Sequence, residues 1–443
     1  MTLDGAPIYV STRDPVRRAR SLPEAVRLGL APDGGLFVPT TIPRLAPRWS
    51  EAETWRDVVE AVLRPWLTAD DADAWTRDAR GALDFPVPLR PLARDRYLLE
   101  LFHGPTLAFK DVAARTMARW WGRALRGAGE AATVLVATSG DTGSAVADGF
   151  AGVEGLRVAV LFPKGGVSDV QERQLVARRP GVRAYAIDGT FDDCQRLVKG
   201  ALVDPELAAL RLSTANSINI GRLLPQITYY AWASVQLARA RGEDLRPLVS
   251  VPSGNLGNLT AGLLAAAMGV PIGGFVAAHN ANDFFPRFLA GRAAPFAYGP
   301  TVATVANAMD VGAPSNFERL HALFGDAWPA PVTGVSIDDE DALGALGRVW
   351  SEEGLLVCPH TAVGLEAIER VRAGDAAWRG VPAIALATAH PAKFAGVVAR
   401  ATGQRPTHGA LEHLVDAPTR VEALAADASA LALALRRFAA DEA

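Results

Sequence analysis

The sequence predicts an α/β protein of two or three units, with parallel sheet, ligand loops at its strand ends and a small N-terminal domain. Three observations carry this. The chain has 443 residues, too many for one small core, so two or three α/β-sized units are expected. Short continuous apolar runs alternate with helical patterns, as in a parallel sheet covered on both faces. Each apolar run ends in a loop of Gly, Ser, Asn and Pro, at the carboxyl end of a strand, where ligands sit in such folds.

In chain order, the first hundred residues are rich in arginine and proline. "LAPDGGLFVP" (30–39) reads as a turn and "SEAETWRDVVEAVLRPWL" (50–67) as an amphipathic helix. "STR" at 11–13 reads as a helix cap, with a reach back toward the ligand site as the other reading. An N-terminal domain of residues 1–95 is expected to end near "DFPVPLRPLA".

The strand–loop–helix pattern then occurs five times. "RYLLELFHGPT" leads into "FKDVAARTMARWWGRALRG", and "TVLVATSGDTG" into "SAVADGFAG". "LRVAVLFPKGG" leads into "SDVQERQLVARRP", "PLVSVPSGNLG" into "NLTAGLLAAAMG", and "PAIALATAHPA" into "KFAGVVARATG". Residues 96–125 and 240–443 are expected to form a large domain, and 126–239 a small one. There is no internal repeat and no low-complexity linker.

Composition sets limits. Hydrophobic residues at 49% and charged residues at 21% indicate a soluble globular chain. A net charge of -3 gives no reason to expect a nucleic-acid or anionic-membrane partner. Cys194 and Cys358 are too few for a disulfide framework, and "MTLDGAPIYVSTRDPVRRAR" lacks an apolar signal core, so a cytoplasmic protein is expected. From Pro247 to Ala278 no residue is charged, but Pro252, Asn255, Asn258 and Pro271 break the run, which parses as buried strand, polar loop and buried helix.

The chain has four lysines, Lys110, Lys164, Lys199 and Lys393; its other basic side chains are arginine. Phe109, Val112, Ala113, Thr116, Met117, Trp120, Trp121 and Leu125 keep helical spacing, with Arg115, Arg119 and Arg123 opposite. Lys110 therefore falls in a first helical turn, where the helix dipole and partial burial both favour its uncharged amine.

"SGNLGN" (253–258) follows a strand and opens a helix, so Gly254 and Gly257 can turn backbone N–H groups toward a phosphate without a basic side chain. A plain Gly-rich turn reads equally well from this loop alone. No G-x-x-x-x-G-K-[ST] occurs, and "GAGEAA" (127–132) precedes a strand instead of following one, which excludes the two common nucleotide loops. "TSGDTG" (138–143) suits a carboxylate or phosphate, or simply caps a helix. "ATAHPAKF" (387–394) supplies Thr388, His390 and Lys393: a lone His near Pro is usually structural, while Thr388 stands at a strand end, where its hydroxyl can meet a ligand. "NSINIGRLLPQITYY" (216–230) sets Arg222 beside Asn216 and Asn219, which suits an oxyanion, although a surface arginine on a helix is the commoner case.

A reactive lysine, a phosphate cradle without a basic residue, and hydroxyl-bearing loops on one sheet edge together fit a lysine-bound cofactor, pyridoxal phosphate (PLP). No metal site is expected.

In this order the motifs "YVSTR", "LAPDGGLFVP", "FHGPTLAFKD", "ATSGDTGSA", "SINIGRLLPQ", "SGNLGN" and "ATAHPAKF" resemble those of the threonine synthase family, from Tyr9 to about Phe394. The resemblance implies PLP fold type II, of the tryptophan-synthase-β-like group. It implies that O-phospho-L-homoserine and water become L-threonine and phosphate. Lys110 matches the lysine that carries the cofactor. Gly254, Asn255, Leu256, Gly257 and Asn258 match the loop for its phosphate, and Thr388 the partner of its ring nitrogen. Ser139, Gly140, Thr142 and Gly143 match the loop for the substrate carboxylate. Asn219 and Arg222 are candidates for the substrate phosphate. Asp141 stands where the wider group carries Asn at the cofactor's ring oxygen. A PLP-dependent dehydratase or phospholyase would share the lysine and the cradle. A non-catalytic α/β protein binding a phosphate ligand would have no role for Lys110. The family resemblance leaves a monomer or a homodimer open.

Overall fold

The computed structural model describes residues 2–3, 5–128, 131–138, 140–242 and 245–441. Two parallel sheets carry the architecture. The six-stranded sheet runs in the order Val332–Ser336, Gly274–His279, Leu248–Pro252, Ala383–Ala387, Arg96–Glu100, Leu89–Leu92, and only the last strand is antiparallel to its neighbour. The five-stranded sheet runs Leu212–Thr214, Ala132–Ala137, Leu156–Pro163, Val182–Asp188, Val421–Ala425, all parallel. Central strands such as Ala132–Ala137 and Ala383–Ala387 are buried at every position. That burial is why they read as unbroken apolar runs without alternation. The uncharged run resolves as strand Leu248–Pro252, a loop, helix Gly257–Met268 and strand Gly274–His279.

The N-terminal unit packs against the helix Lys110–Ala128. Two of its helices, Leu22–Leu28 and Trp55–Leu63, start on reciprocal caps, Ser21 with Glu24 and Thr54 with Asp57. The expected helix over 50–67 is an α-helix only from Trp55 to Leu63, flanked by single 3₁₀ turns at Trp49–Glu51 and Arg64–Trp66. Pro65 lacks the N–H that would continue the ladder. On the Lys110 helix, Val112, Ala113, Thr116, Met117, Trp120, Trp121 and Leu125 are buried as their spacing predicts. The opposite face is not simply solvated: Arg123 pairs with Asp78 at 2.6 Å and Arg115 with Asp84 at 3.0 Å.

Trp120 is fully buried, its ring 5.1 Å from that of Trp75, and its indole N–H donates to the Trp75 carbonyl at 2.9 Å. Trp120→Ala is expected to cost about 3–5 kcal/mol, seen as a lower urea midpoint at unchanged slope.

Three expectations are corrected. The chain's last elements, strand Val421–Ala425 and helix Ala428–Asp441, belong to the five-stranded sheet, although the rest of 240–443 builds the six-stranded one. Leu431, Leu435 and Phe438 bury themselves against Tyr185, Cys194 and Leu197. Conversely, helix Leu224–Arg241, expected in the small unit, packs against Trp55–Leu63 and Gly257–Met268. Lastly, "STR" caps no helix. Ser11 donates to Asp33, while the Thr12 hydroxyl and the Arg13 guanidinium hold Glu318 on helix Asn316–Phe324 at 2.5 and 2.7 Å.

Candidate active site

Lys110 opens its helix because the loop before it is tied down at both ends. The Thr106 hydroxyl and N–H donate to the Asp111 carboxylate at 2.6 and 2.9 Å. Gly104 makes room for that carboxylate, since a Cβ there would lie 2.5 Å from Asp111 Oδ2. The Phe109 N–H donates to the Thr388 carbonyl at 2.8 Å, and the His390 N–H to the Leu107 carbonyl at 3.0 Å. Lysine loop and threonine loop therefore run side by side, although 278 residues separate Lys110 from Thr388 in the chain.

Both residues line one cleft between the sheets, with Thr138, Asp141, Thr142, Asn216, Arg222, His360 and the loop Ser253–Asn258. The Lys110 Nζ lies 4.5 Å from the Phe109 ring centroid and has no hydrogen-bond partner among the described residues. Burial, with the cations of Arg222 and Lys393 nearby, pushes its ammonium down to about 8, and Asp141 opposes this only in part. The Thr388 hydroxyl bonds no protein group among the described residues.

The cradle is built as its glycines imply. Gly254 lies against the Met309 backbone, where a Cβ would approach Met309 Cα to 2.9 Å. Leu256 takes a left-handed φ of 60°, and Gly257 begins the helix with no side-chain cap. The N–H groups of that first turn are thus left for a ligand. Asn258 accepts from Tyr229 and Tyr230 hydroxyls at 2.5 and 2.6 Å, while its Nδ2 is buried without a partner. An uncapped helix start and an orphaned amide donor fit a phosphate, and this is the feature that PLP requires of the site. Asn255 instead braces the loop by donating to Ser217 at 2.5 Å.

Comparison with known proteins follows the same lines. The profile described as "Pyridoxal-phosphate dependent enzyme" matches residues 86–379, "Threonine synthase N terminus" matches 8–76, and "Threonine synthase, C-terminal" matches 361–433. The threonine synthase of Haemophilus influenzae is 42% identical over 392 residues, covering 86% of this chain and 88% of that protein. The chain belongs to the threonine synthase family. The crystal structure of threonine synthase from Escherichia coli superposes with a TM-score of 0.88 at 36% identity, covering 97% of this chain and 99% of that one. A PLP-bound threonine synthase from Brucella melitensis superposes at 0.87 with 34% identity, covering 98% and 99%. The fold is therefore PLP fold type II.

Within this family fold, the predicted residues divide. Lys110, Asp141, Thr142, Arg222, Gly254, Asn255, Leu256, Gly257, Asn258 and Thr388 meet in the cleft. Ser139 lies outside the described residues. The Gly140 and Gly143 N–H groups do not face the cleft, because both donate to the Thr138 hydroxyl at 2.9 Å. Asn219 is also set apart. It is fully buried, donates to the Val26 and Thr214 carbonyls at 2.8 and 3.0 Å, and accepts from the Gly221 N–H at 2.9 Å, which leaves nothing for a ligand. Of the five loops at strand ends, "FPKGG" lines no part of the cleft.

Sequence reasoning missed His360 and named Lys393 without giving it a role. His360 accepts the Ala308 N–H on Nε2 at 3.1 Å, leaving Nδ1 buried and without a partner, and burial pushes the ring down to about 4. Lys393 is fully buried and pairs with Asp141 at 2.8 Å. A histidine within "PHTAVG" carries no signal of its own, but a lysine kept in an arginine-rich chain is one.

Proposed function

We propose that Lys110 and this cleft carry out the family's reaction on O-phospho-L-homoserine, replacing the γ-phosphate by a β-hydroxyl to give L-threonine. One observation carries the reading: the cleft holds an unbonded lysine amine together with two separate anion sites. The uncapped helix start at Gly257 is the first, and Arg222 is the second. Arg222 is buried, spends Nη1 on the Ala215 carbonyl, and leaves Nε without a partner. Besides a carboxylate site, a cofactor phosphate and a substrate phosphate need two phosphate sites, whereas a dehydratase of an unphosphorylated amino acid needs one.

In this reading the Lys110 amine would hold PLP, the loop Gly254–Asn258 its phosphate, and the Thr388 hydroxyl its ring nitrogen. When bound, the cofactor supplies an electron sink that acidifies the substrate's α and β protons. The first-turn N–H groups of Asp141 and Thr142, with the Thr142 hydroxyl, hold the substrate carboxylate. Arg222 binds the substrate phosphate and keeps it aligned for departure from Cγ. The free Lys110 Nζ would take the α proton and, after passing it on, the β proton as phosphate leaves Cγ, a task suited to an amine near neutral pH. A proton is then returned at Cγ to make the methyl group, water gives its hydroxyl to Cβ and its proton to the phosphate, and the α proton is restored at Cα.

With this goes a cytoplasmic protein, monomer or homodimer, acting on a small molecule without nucleic acid or membrane. The net charge of -3 supports it, as does the absence, among the described residues, of a helix long and apolar enough to cross a membrane.

The test is the visible spectrum of the purified chain before and after O-phosphohomoserine. We expect a band that shifts with substrate while phosphate and threonine appear in equal amounts. A band indifferent to this substrate, with ammonia released from threonine or serine, would favour the dehydratase.

A further inference from the structure

Lys110 and Lys199 line this cleft, and a third of the chain's four lysines, Lys393, pairs with its Asp141 and has no role in the reaction just described. Lys393 sits in the short turn Pro391–Phe394, its side chain completely inaccessible. Its Nζ donates to the Thr106 carbonyl at 2.8 Å and pairs with Asp141 Oδ1 at 2.8 Å. Asp141 comes from the other sheet, at the start of helix Asp141–Gly149, and also accepts from Gln171 Nε2 at 3.2 Å. Asp141 lines the cleft with Lys110, and the two attract each other electrostatically. A buried carboxylate left without a partner takes the nearest cation. Here that would be Lys110.

We propose that Lys393 is a positioning residue: by holding the Asp141 carboxylate, it prevents that anion from capturing Lys110 as a fixed ammonium and leaves the Lys110 amine free to react. This rests on the reading of Lys110 as the amine that holds the cofactor. Among the described residues, the other charged or titratable groups around Lys110 are Arg222, His360, the exposed Lys199 of the cleft lining and, on its own helix, Asp111, which is turned to Thr106. Among these neighbours Asp141 is the anion that Lys110 shares the cleft with, so its occupancy decides the charge of the amine. Burial alone would raise the Asp141 carboxyl, but Lys393 and Lys110 outweigh it and hold it well below the usual range.

The test is the pH dependence of PLP uptake by the full-length chain freed of cofactor, read from growth of the visible band. Removing the cation favours charged Lys110, so Lys393→Met is expected to move the midpoint up by a pH unit or more, about tenfold slower uptake at neutral pH. Asp141→Asn removes the anion and is expected to move it down. The double variant Lys393→Met/Asp141→Asn carries no unpaired buried charge, and is expected to fold and to return the midpoint near that of the wild type. A merely structural role would slow uptake in both single variants without opposite shifts. Shifts of the same sign, no shift, or a double variant far from wild type would each overturn the proposal. Should Lys393→Met fail to fold, Asp141→Asn and the double variant decide on the same criteria. A wild-type chain that developed no band would overturn this and the Lys110 assignment together, whereas normal wild-type uptake with unshifted variants would overturn this one alone.

Discussion

Lys110→Ala folds, takes up no PLP band and loses turnover by a factor on the order of 10⁴ or more, the scale for removing a residue that bonds covalently to the reacting system. Folding survives because Lys110 lines a cleft and makes no hydrogen bond among the described residues, so truncation leaves neither a core void nor an unpaired partner. A melting temperature within a few degrees of wild type, with a colourless protein, is the expected pair of measurements. An active, coloured Ala variant would end the assignment. Arginine is no substitute, since an exchangeable imine needs a primary amine. The same residue sets a pH dependence. Only the neutral amine attacks an aldehyde, so uptake by the wild-type chain should rise with pH and level off above about 8, where an ordinary lysine would level off only above 10.5.

Arg222→Met is expected to keep the PLP band and lower kcat/KM for the phosphorylated substrate by about 10–150-fold, the equivalent of about 1.5–3 kcal/mol for hydrogen bonds to a charged group. Methionine fills much of the stem volume, so the buried wall is retained. The loss should fall largely on KM if the guanidinium binds ground state and transition state alike, and on kcat if it acts on the departing phosphate. Unchanged kinetics would leave the cleft with one anion site in use, and the dehydratase reading would gain.

Much of this was legible in the sequence, for a physical reason. Parallel strands buried on both faces must be continuously apolar, and helix starts that cradle anions must be small and polar, so the strand–loop–helix units announce themselves locally. What was not legible is long-range and side-chain specific. Asn219 looks like Asn216 in a string of letters, and only the fold shows that its amide is consumed by the Val26 and Thr214 carbonyls. Gly140 and Gly143 look like donors to a ligand until Thr138 is seen to accept both. The Asp141–Lys393 pair joins residues 252 positions apart, and no local pattern encodes such a partner. Strand Val421–Ala425 alternates between exposed and half-buried positions, so it lacked the unbroken apolar signature of the strands it joins.

That late strand also bears on how the chain is made. Strand Arg96–Glu100 pairs with Ala383–Ala387, and Val182–Asp188 waits for Val421–Ala425. The six-stranded sheet is incomplete until residue 387 has emerged from the ribosome, and the five-stranded sheet until residue 425. Until then the nascent chain carries unpaired strand edges, open to mispairing and to chaperone capture. A product terminated before Thr388 has no assembled site with which to hold an aldehyde.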